Sequence, residues 1–341
     1  MKILILKPSA LGDVVQALPV ARLLKQSYPT AQIHWWVAEV FAPLLEGDPD
    51  LAAVHRFRRK GWGRLSAWRH FGAMMRELRR ERFDWVIDLQ GLARSAVVAW
   101  LVRGGLTVGV DSGREGARAA YDRLVPRPEA AVHAVDWYKA VVRALDADAD
   151  AEFEWLPEQP EVAAAVRESW PALTGEWAVV CPGGRWRTKL WPEAHFHDLI
   201  RQLLAEQPGL RVAVMGDKAD AAVGGRLAAV DGERCLDLTG KTSLKEMIEW
   251  LRSARVVITN DTGPMHVAAA LGRPVVAVFG PTDPQRTGPY HAAGEVLRLP
   301  LDCSPCLSQY CFNPVQLECL WSLSPRRVLA AVRPWLADAC G

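Results

Sequence analysis

One stretch limits the folds open to this chain more than any other: residues 256–284, VVITNDTGPMHVAAALGRPVVAVFGPTDP. A β-branched run from Val256 to Ile258 meets a polar turn, Asn260-Asp261-Thr262-Gly263-Pro264. An apolar helix from Met265 to Leu271 follows, ending at Gly272. A second apolar run, Val275 to Phe279, leads to a second polar turn, Gly280 to Pro284. Strands that are apolar on both faces belong to parallel sheets covered by helices, which fixes the class as α/β. Asp261 or Thr262 can cap the helix, Gly263 lets a ligand approach the backbone, and Pro264 suits a first helical turn. Both polar turns fall at the carboxyl ends of neighbouring strands, where open α/β sheets bind ligands. The free amides of a helix start suit a phosphate. A cap and a loop without a ligand is the plainer alternative for this cluster taken alone.

The same alternation begins the chain. Lys2 to Leu6 reads as a buried strand, Lys7 to Asp13 as a loop, and Val14 to Gln26 as a helix that Pro19 should kink or start. That loop lacks G-x-G-x-x-G, which argues against a dinucleotide-binding enzyme. Asp13 is its one acid, and it is either a helix cap or a general base at the floor of a site. Gln32–Val37, Val54–Phe57, Phe83–Leu89 and Val108–Val110 are further strands. Asp111 to Arg127 reads as a mobile polar loop, and His133 to Leu145 as a helix. With 341 residues there is room for two domains. The acidic segment Asp146–Glu161, with two prolines, is the natural linker. The expected domains are 1–160 and 161–323, followed by a last helix within 324–341 that packs back on the first domain.

A net charge of +2 gives no general pull toward nucleic acid, and no apolar run nears the roughly 20 residues of a membrane span. The first residues do not read as a signal peptide, so a cytoplasmic location is expected. One local tract departs from this neutrality. From Arg56 to Arg82 there are ten Lys/Arg against two acids, Glu77 and Glu81. Trp62, Leu65, Trp68, Phe71, Met74, Met75 and Leu78 recur there at about helical spacing, which predicts a basic amphipathic helix. It is either an ordinary solvated face or a contact for an anionic membrane or acceptor.

In the second half, Trp177–Cys181, Arg211–Met215 and Cys235–Leu238 are strands, and Glu193–Glu206 and a Ser243-capped segment to Arg252 are helices. The loop Pro182-Gly183-Gly184-Arg185-Trp186-Arg187-Thr188-Lys189 joins two glycines to three cations at a strand end, a plausible diphosphate site. The cysteines Cys303, Cys306, Cys311 and Cys319 have irregular spacing and no histidine that completes a zinc pattern. They read as loop thiols in preference to a metal site or disulfide, and no metal is expected.

These residues together carry a family resemblance. The opening KILILKPSALGD, the pair NDTGPMH and FGPTDP, and the segment VIDLQGLARS with His133-Ala134-Val135 resemble glycosyltransferase family 9, the ADP-heptose:lipopolysaccharide heptosyltransferases. The segment VIDLQGLARS and His133-Ala134-Val135 are similar to the transferase of the first inner-core heptose, whereas the cysteine-bearing tail looks more like the second transferase and other relatives. The resemblance implies a GT-B fold, two doubly wound domains facing a cleft, and an inverting, metal-independent transfer from ADP-L-glycero-D-manno-heptose without a cofactor. The acceptor implied is Kdo-lipid A or a related inner-core lipopolysaccharide at the cytoplasmic face of the inner membrane, and the enzyme is expected to be a monomer. By motif, Asp13 would be the general base and Lys189 would neutralise the departing diphosphate. Asp261 would hold heptose hydroxyls, Thr262 and Gly263 the phosphates, and His266 the donor. Gly183 and Gly184 would offer backbone donors, Asp220 a ribose contact, and Lys241 with Thr242 an adenine contact. Lys7, Arg59, Lys60, Arg64, Gln90 and Arg114 are the candidates for the acceptor's acidic groups. A hydrolase or epimerase acting on a nucleotide sugar, and a non-catalytic binder of anionic surfaces, are the competing functions.

Overall fold

The structure, a computed structural model, describes residues 1–58, 65–129 and 132–337. The chain divides into two units, Met1–Pro157 and Glu158–Gly341. The first runs β1 (Lys2–Leu6), α1 (Leu11–Ser27), β2 (Gln32–Ala38), β3 (Leu51–Phe57), α2 (Leu65–Glu81), β4 (Trp85–Asp88), α3 (Ala93–Val102), β5 (Leu106–Asp111), β6 (Arg123–Pro126) and α4 (Ala134–Ala144). Its strands are ordered β3-β2-β1-β4-β5-β6, and all pair in parallel. The chain therefore reverses direction across the sheet between β1 and β4, where Leu6 sits opposite Asp88.

The second unit repeats this plan. It contains α5 (Pro160–Ser169), β7 (Trp177–Cys181), α6 (Glu193–Glu206), β8 (Arg211–Val214), α7 (Ala221–Ala228), β9 (Cys235–Asp237) and α8 (Leu244–Ser253). Then follow β10 (Val256–Asn260), α9 (Gly263–Ala270), β11 (Val275–Val278), α10 (Pro284–Thr287), β12 (Gly294–Leu297), α11 (Glu318–Trp321) and α12 (Pro325–Val332). The strand order β9-β8-β7-β10-β11-β12 puts the reversal between β7 and β10, with Cys181 opposite Thr259. Every residue of β7, β10 and β11 is buried, as helices on both faces require.

Four expectations change. The helix α1 runs unbroken through Pro19, because nearly every side chain from Val14 to Leu24 is buried and tertiary packing outweighs one lost hydrogen bond. The segment 111–127 is not a free loop, since it supplies the edge strand β6. Tyr121 holds it in place: its ring covers Gly109, where an added Cβ would lie 2.4 Å from the ring, and its hydroxyl donates to Asp88 Oδ2 at 2.8 Å. Helices α5 and α7 and strand β12 were not anticipated. Finally, the last helix belongs to the second unit. Val328, Leu329 and Val332 are buried in a core they share with Phe196, Leu199 and Leu203 of α6, so its apolar stripe is already covered there.

Among the described residues no helix is long and apolar enough to cross a membrane. The amphipathic α2 buries Met75 and Leu78 against the first sheet and exposes Arg76, Arg79 and Arg80. Beneath it lies a buried histidine pair: His34 Nδ1 and His55 Nε2 are 2.9 Å apart, on β2 and β3. Glu77 on α2 lies 3.4 Å from His55 Nδ1. Burial, then the neighbouring His55, pushes the His34 imidazolium down to about 4, with Glu81 pulling the other way. Burial likewise lowers His55 despite Glu77 and Glu81. A base whose folded pKa is depressed stabilises the fold above its unfolded value of about 6.5. That stability is lost as pH falls from there toward the folded value. We expect His34 to contribute on the order of 2 kcal/mol to this loss. Melting curves of His34→Gln between pH 7 and 4 should show a shallower decline than wild type, and an identical decline would remove His34 as a cause.

Candidate functional site

In each unit some of the residues singled out by motif lie at the reversal point of the sheet: Lys7, Asp13 and Gln90 in the first, Gly183, Lys189 and Asp261–His266 in the second. In the second unit the organising side chain is Asn260, the last residue of β10, fully buried. Its Nδ2 donates to the carbonyls of Pro182 (2.7 Å) and Gly183 (3.2 Å), and its Oδ1 accepts from the Trp191 amide (3.1 Å). One amide thus fixes both ends of the Gly-rich loop after β7. That loop turns through Arg187–Lys189 and brings the Lys189 ammonium 2.6 Å from Asp261 Oδ2, over the Trp186 ring. The same oxygen accepts from Thr282 Oγ1 at 2.7 Å. Asp261 is buried and Lys189 is partly exposed. The Thr259 and Thr262 hydroxyls pair at 3.2 Å.

Helix α9 starts at Gly263 with Thr262 at its cap, and the Thr262 side chain makes no cap hydrogen bond to the amides of its first turn. Amides at a helix start, its positive end and a lysine at one strand end form a site for an anion. Two glycines are needed where this loop meets β8. A Cβ on Gly183 would lie 2.2 Å from Asp220 Oδ2, and one on Gly216 would lie 2.6 Å from it. Asp220 is therefore pressed against the loop, and burial followed by the charge of Asp217 pushes its carboxyl above the usual range. His266 is buried in the first turn of α9. Lys241 spends its ammonium on Asp237 Oδ2 (2.7 Å) and the Asp237 carbonyl (2.9 Å), with Thr242 next in the turn.

In the first unit, Asp13 stands in the first turn of α1, and its Oδ2 accepts from the Ala10 amide at 2.9 Å. The cap geometry considered for it from sequence is therefore present. Lys7 does not face outward as an acceptor contact would. It is buried, donating to the Leu89 carbonyl (2.9 Å) and to the Tyr138 hydroxyl (2.7 Å). Burial opposes its charge, but Tyr138, Asp13 and Asp88 outweigh this and hold the ammonium above the ordinary lysine range. Lys7 is thus a fixed positive charge close to Asp13. Asp88 is fully buried, and burial raises its carboxyl despite hydrogen bonds from Tyr121 and from the Gln90 and Gly91 amides. Gln90 lines a cavity of about 650 Å³ together with Ser9 and Arg94. Arg114 is exposed in the turn after β5. Arg59, Lys60 and Arg64 lie outside the described residues.

Residue-type reasoning missed Thr282, Asn260 as a bracket, and Tyr138 as the partner of Lys7. The only signal for Asn260 was a polar residue ending an otherwise apolar strand. The cysteine-bearing segment is a buttress for the loops at the carboxyl ends of β7 and β11. Ser304 Oγ donates to the Gly280 carbonyl (2.7 Å), the Leu307 amide to Pro281 (2.7 Å), and Thr188 Oγ1 to the Ser308 carbonyl (2.9 Å). Cys303, Cys306, Cys311 and Cys319 are free thiols, and burial pushes that of Cys319 up to about 11. Among the described residues no three metal-ligating side chains are placed to hold an ion.

Two parallel six-stranded sheets with one shared strand order, each with polar groups at its reversal point, define a GT-B-like α/β fold. The model of glycosyltransferase family 9 (heptosyltransferase) matches residues 71–315, and the chain belongs to that family. It is 32% identical to lipopolysaccharide heptosyltransferase 1 of Pseudomonas aeruginosa, over 98% of both chains. It is 31% identical to lipopolysaccharide heptosyltransferase 2 of Salmonella typhimurium, over 88% of both. The solved E. coli heptosyltransferase WaaC with ADP-2-deoxy-2-fluoro heptose superposes with a TM-score of 0.78 at 27% identity, covering 98% of this chain and 99% of that one.

Replacing Asn260 by Ala leaves two carbonyls and an amide without their partner in a buried site. A stability loss of about 2–3 kcal/mol is expected, together with weaker nucleotide binding. Chemical denaturation and ADP titration of the variant check both, and Asn260→Ala with wild-type behaviour in each would remove the bracket.

Proposed function

We propose that the chain is an inverting transferase that moves heptose from ADP-L-glycero-D-manno-heptose to the Kdo-bearing inner core of lipopolysaccharide. The observation that carries this reading is the convergence of Lys189, Asp261 and the first amides of α9 at the reversal point of the second sheet. That set suits a sugar diphosphate, with the cations and amides on the phosphates and carboxylate oxygens for sugar hydroxyls. The WaaC structure with a fluorinated ADP-heptose and the heptosyltransferase relatives support heptose as the sugar and ADP as its carrier.

The reaction is a single displacement. The acceptor hydroxyl oxygen attacks the anomeric carbon, and the bond from that carbon to the diphosphate oxygen breaks. ADP leaves with the electron pair, and the hydroxyl proton passes to Asp13. The Ala10 amide fixes one oxygen of Asp13, and the other oxygen is the one that takes the proton. Lys189, released from Asp261, and the α9 amides meet the charge growing on the diphosphate, so this scheme works without a metal ion. Asp261 and His266 hold the heptose, Thr262 and Gly263 the phosphates, Gly183 and Gly184 the diphosphate backbone contacts, and Asp220 the ribose. Lys241 is turned onto Asp237, so at the adenine the turn would act through its backbone and Thr242.

The proposed base lies in the first unit and the proposed leaving-group residues in the second. The basic face of α2 favours work at an anionic membrane surface on the cytoplasmic side. A second reading, addition of the second heptose, is favoured by one observation: relatives of both types match at 32% and 31% identity.

In the decisive experiment, Asp13→Ala abolishes release of ADP from ADP-heptose in the presence of a Kdo2-lipid A acceptor and leaves ADP affinity within about twofold. Turnover unchanged in that variant would falsify the role of Asp13. Wild-type turnover should persist in EDTA. Thermal shifts should be produced by ADP compounds and not by UDP or GDP. Release of free heptose in the absence of acceptor, at the rate of transfer, would favour a hydrolase instead.

A further inference from the structure

The turn that carries Lys189 also carries a second partner for it. Arg187–Lys189 is a single 3-10 turn entered from Trp186, and the Lys189 amide donates to the Trp186 carbonyl at 2.9 Å. In such a turn the side chains at i and i+3 lie one above the other. Trp186 and Lys189 are that pair, and the ammonium stands 4.9 Å from the centre of the Trp186 ring. The turn itself is held from several sides. Asn260 binds the Gly183 carbonyl before it and the Trp191 amide after it, and the buried Thr188 donates to the Ser308 carbonyl. Trp186 is half-buried, whereas its sequence neighbours Arg185 and Arg187 are exposed.

The two partners of the ammonium differ in kind. Asp261 carries a negative charge, which cancels that of the lysine and repels a phosphate. Its Oδ2, 2.6 Å from the ammonium, is also committed to the Thr282 hydroxyl. The face of an indole attracts a cation through its quadrupole and carries no net charge. It can therefore hold the ammonium in place and leave its whole charge for an anion. A lysine head is a point charge on a flexible stem, and without a neighbour it has many rotamers to occupy. Once the ammonium leaves Asp261, the Trp186 ring is the neighbour that restricts it.

We propose that Trp186 is a positioning residue for Lys189, its ring keeping the ammonium close to the start of α9 when Asp261 lets it go. The inference rests on reading Lys189 as a contact of the donor diphosphate, and it adds a neutral aromatic seat, three positions earlier in the chain, that fixes where this charge is presented.

A double-mutant cycle tests this, with ADP titrated into the full-length protein by calorimetry. Lys189→Met should weaken ADP on the order of 30-fold, the scale of one charge-assisted contact. Trp186→Leu should weaken it on the order of 10-fold, the scale of a largely desolvated cation–π contact. Trp186→Phe keeps a ring and should restore affinity to within about threefold of wild type. In the Lys189→Met background, Trp186→Leu should cost less than about twofold, because no cation is left to hold. A loss of equal size in both backgrounds means that the ring touches the ligand or shapes the loop, and it overturns the positioning role. Wild-type affinity in Trp186→Leu overturns it as well. A second readout does not depend on affinity. With the lysines reductively methylated by labelled formaldehyde, the NMR signal of Lys189 is assigned by its loss in Lys189→Met. It should stand upfield, under the ring, with and without ADP, and move downfield in Trp186→Leu. A signal at the ordinary lysine position in the ADP complex sinks the proposal. ADP affinity unchanged by Lys189→Met would count against Lys189 as a phosphate contact, and the ring-current shift would still decide whether Trp186 holds it.

Discussion

The constraint on which both units depend is parallel strand pairing. Parallel neighbours cannot be joined by a hairpin, so each connection crosses over the sheet, and the loops leaving the carboxyl ends all emerge along one edge. Reversal of strand order, between β1 and β4 and again between β7 and β10, then parts the adjoining loops and leaves room for a ligand. Chemistry-bearing residues far apart in sequence meet for that reason alone. Lys189 and Asp261 lie 72 positions apart and touch, and Lys7 reaches Tyr138 across 131 positions.

The buried polar groups at these points each hold a loop in place. Asn260 would cost stability in an apolar interior if its amide were idle, but it is saturated by the two carbonyls and one amide it ties together. Asp88 plays the matching part in the first unit, taking the Gln90 and Gly91 amides and the Tyr121 hydroxyl, so that one carboxylate shapes the turn after β4 and fastens edge strand β6. These loops are anchored by polar groups buried in the sheet, and the cysteine-bearing segment braces the loops after β7 and β11 through Ser304, Leu307 and Ser308.

The central strands and the motif-bearing turns were legible in the sequence because they announce themselves locally. Val256–Ile258 and Val275–Val278 are unbroken apolar runs, Ser243 caps α8 through the Glu246 amide as its spacing implies, and α6 spans the expected Glu193–Glu206. What escaped was set by partners distant in the chain. Strand β6 is a short, mostly exposed edge strand ending in proline, and the fit of Tyr121 over Gly109 gives it a place. Lys7 looks like a surface cation in KILILKPSALGD, and its burial is decided by Leu89 and Tyr138, which no local pattern reveals. The same holds for the cavity beside Gln90, whose walls come from β2, β3, α2 and α3, and for Thr282, whose hydroxyl is committed to the Asp261 carboxylate in the turn after β10.

The ion pair between Lys189 and Asp261 has a consequence under the proposed reading of this site. A carboxylate already sits on the lysine at 2.6 Å, so a diphosphate taking that lysine would enter by exchange with an internal competitor. A small inorganic anion would meet that cost and offer nothing to the freed Asp261. A sugar diphosphate would replace both partners at once, phosphates on the lysine and hydroxyls on the carboxylate. On that reading the pair would act as a discriminator, lowering the affinity of every anion that lacks hydroxyls.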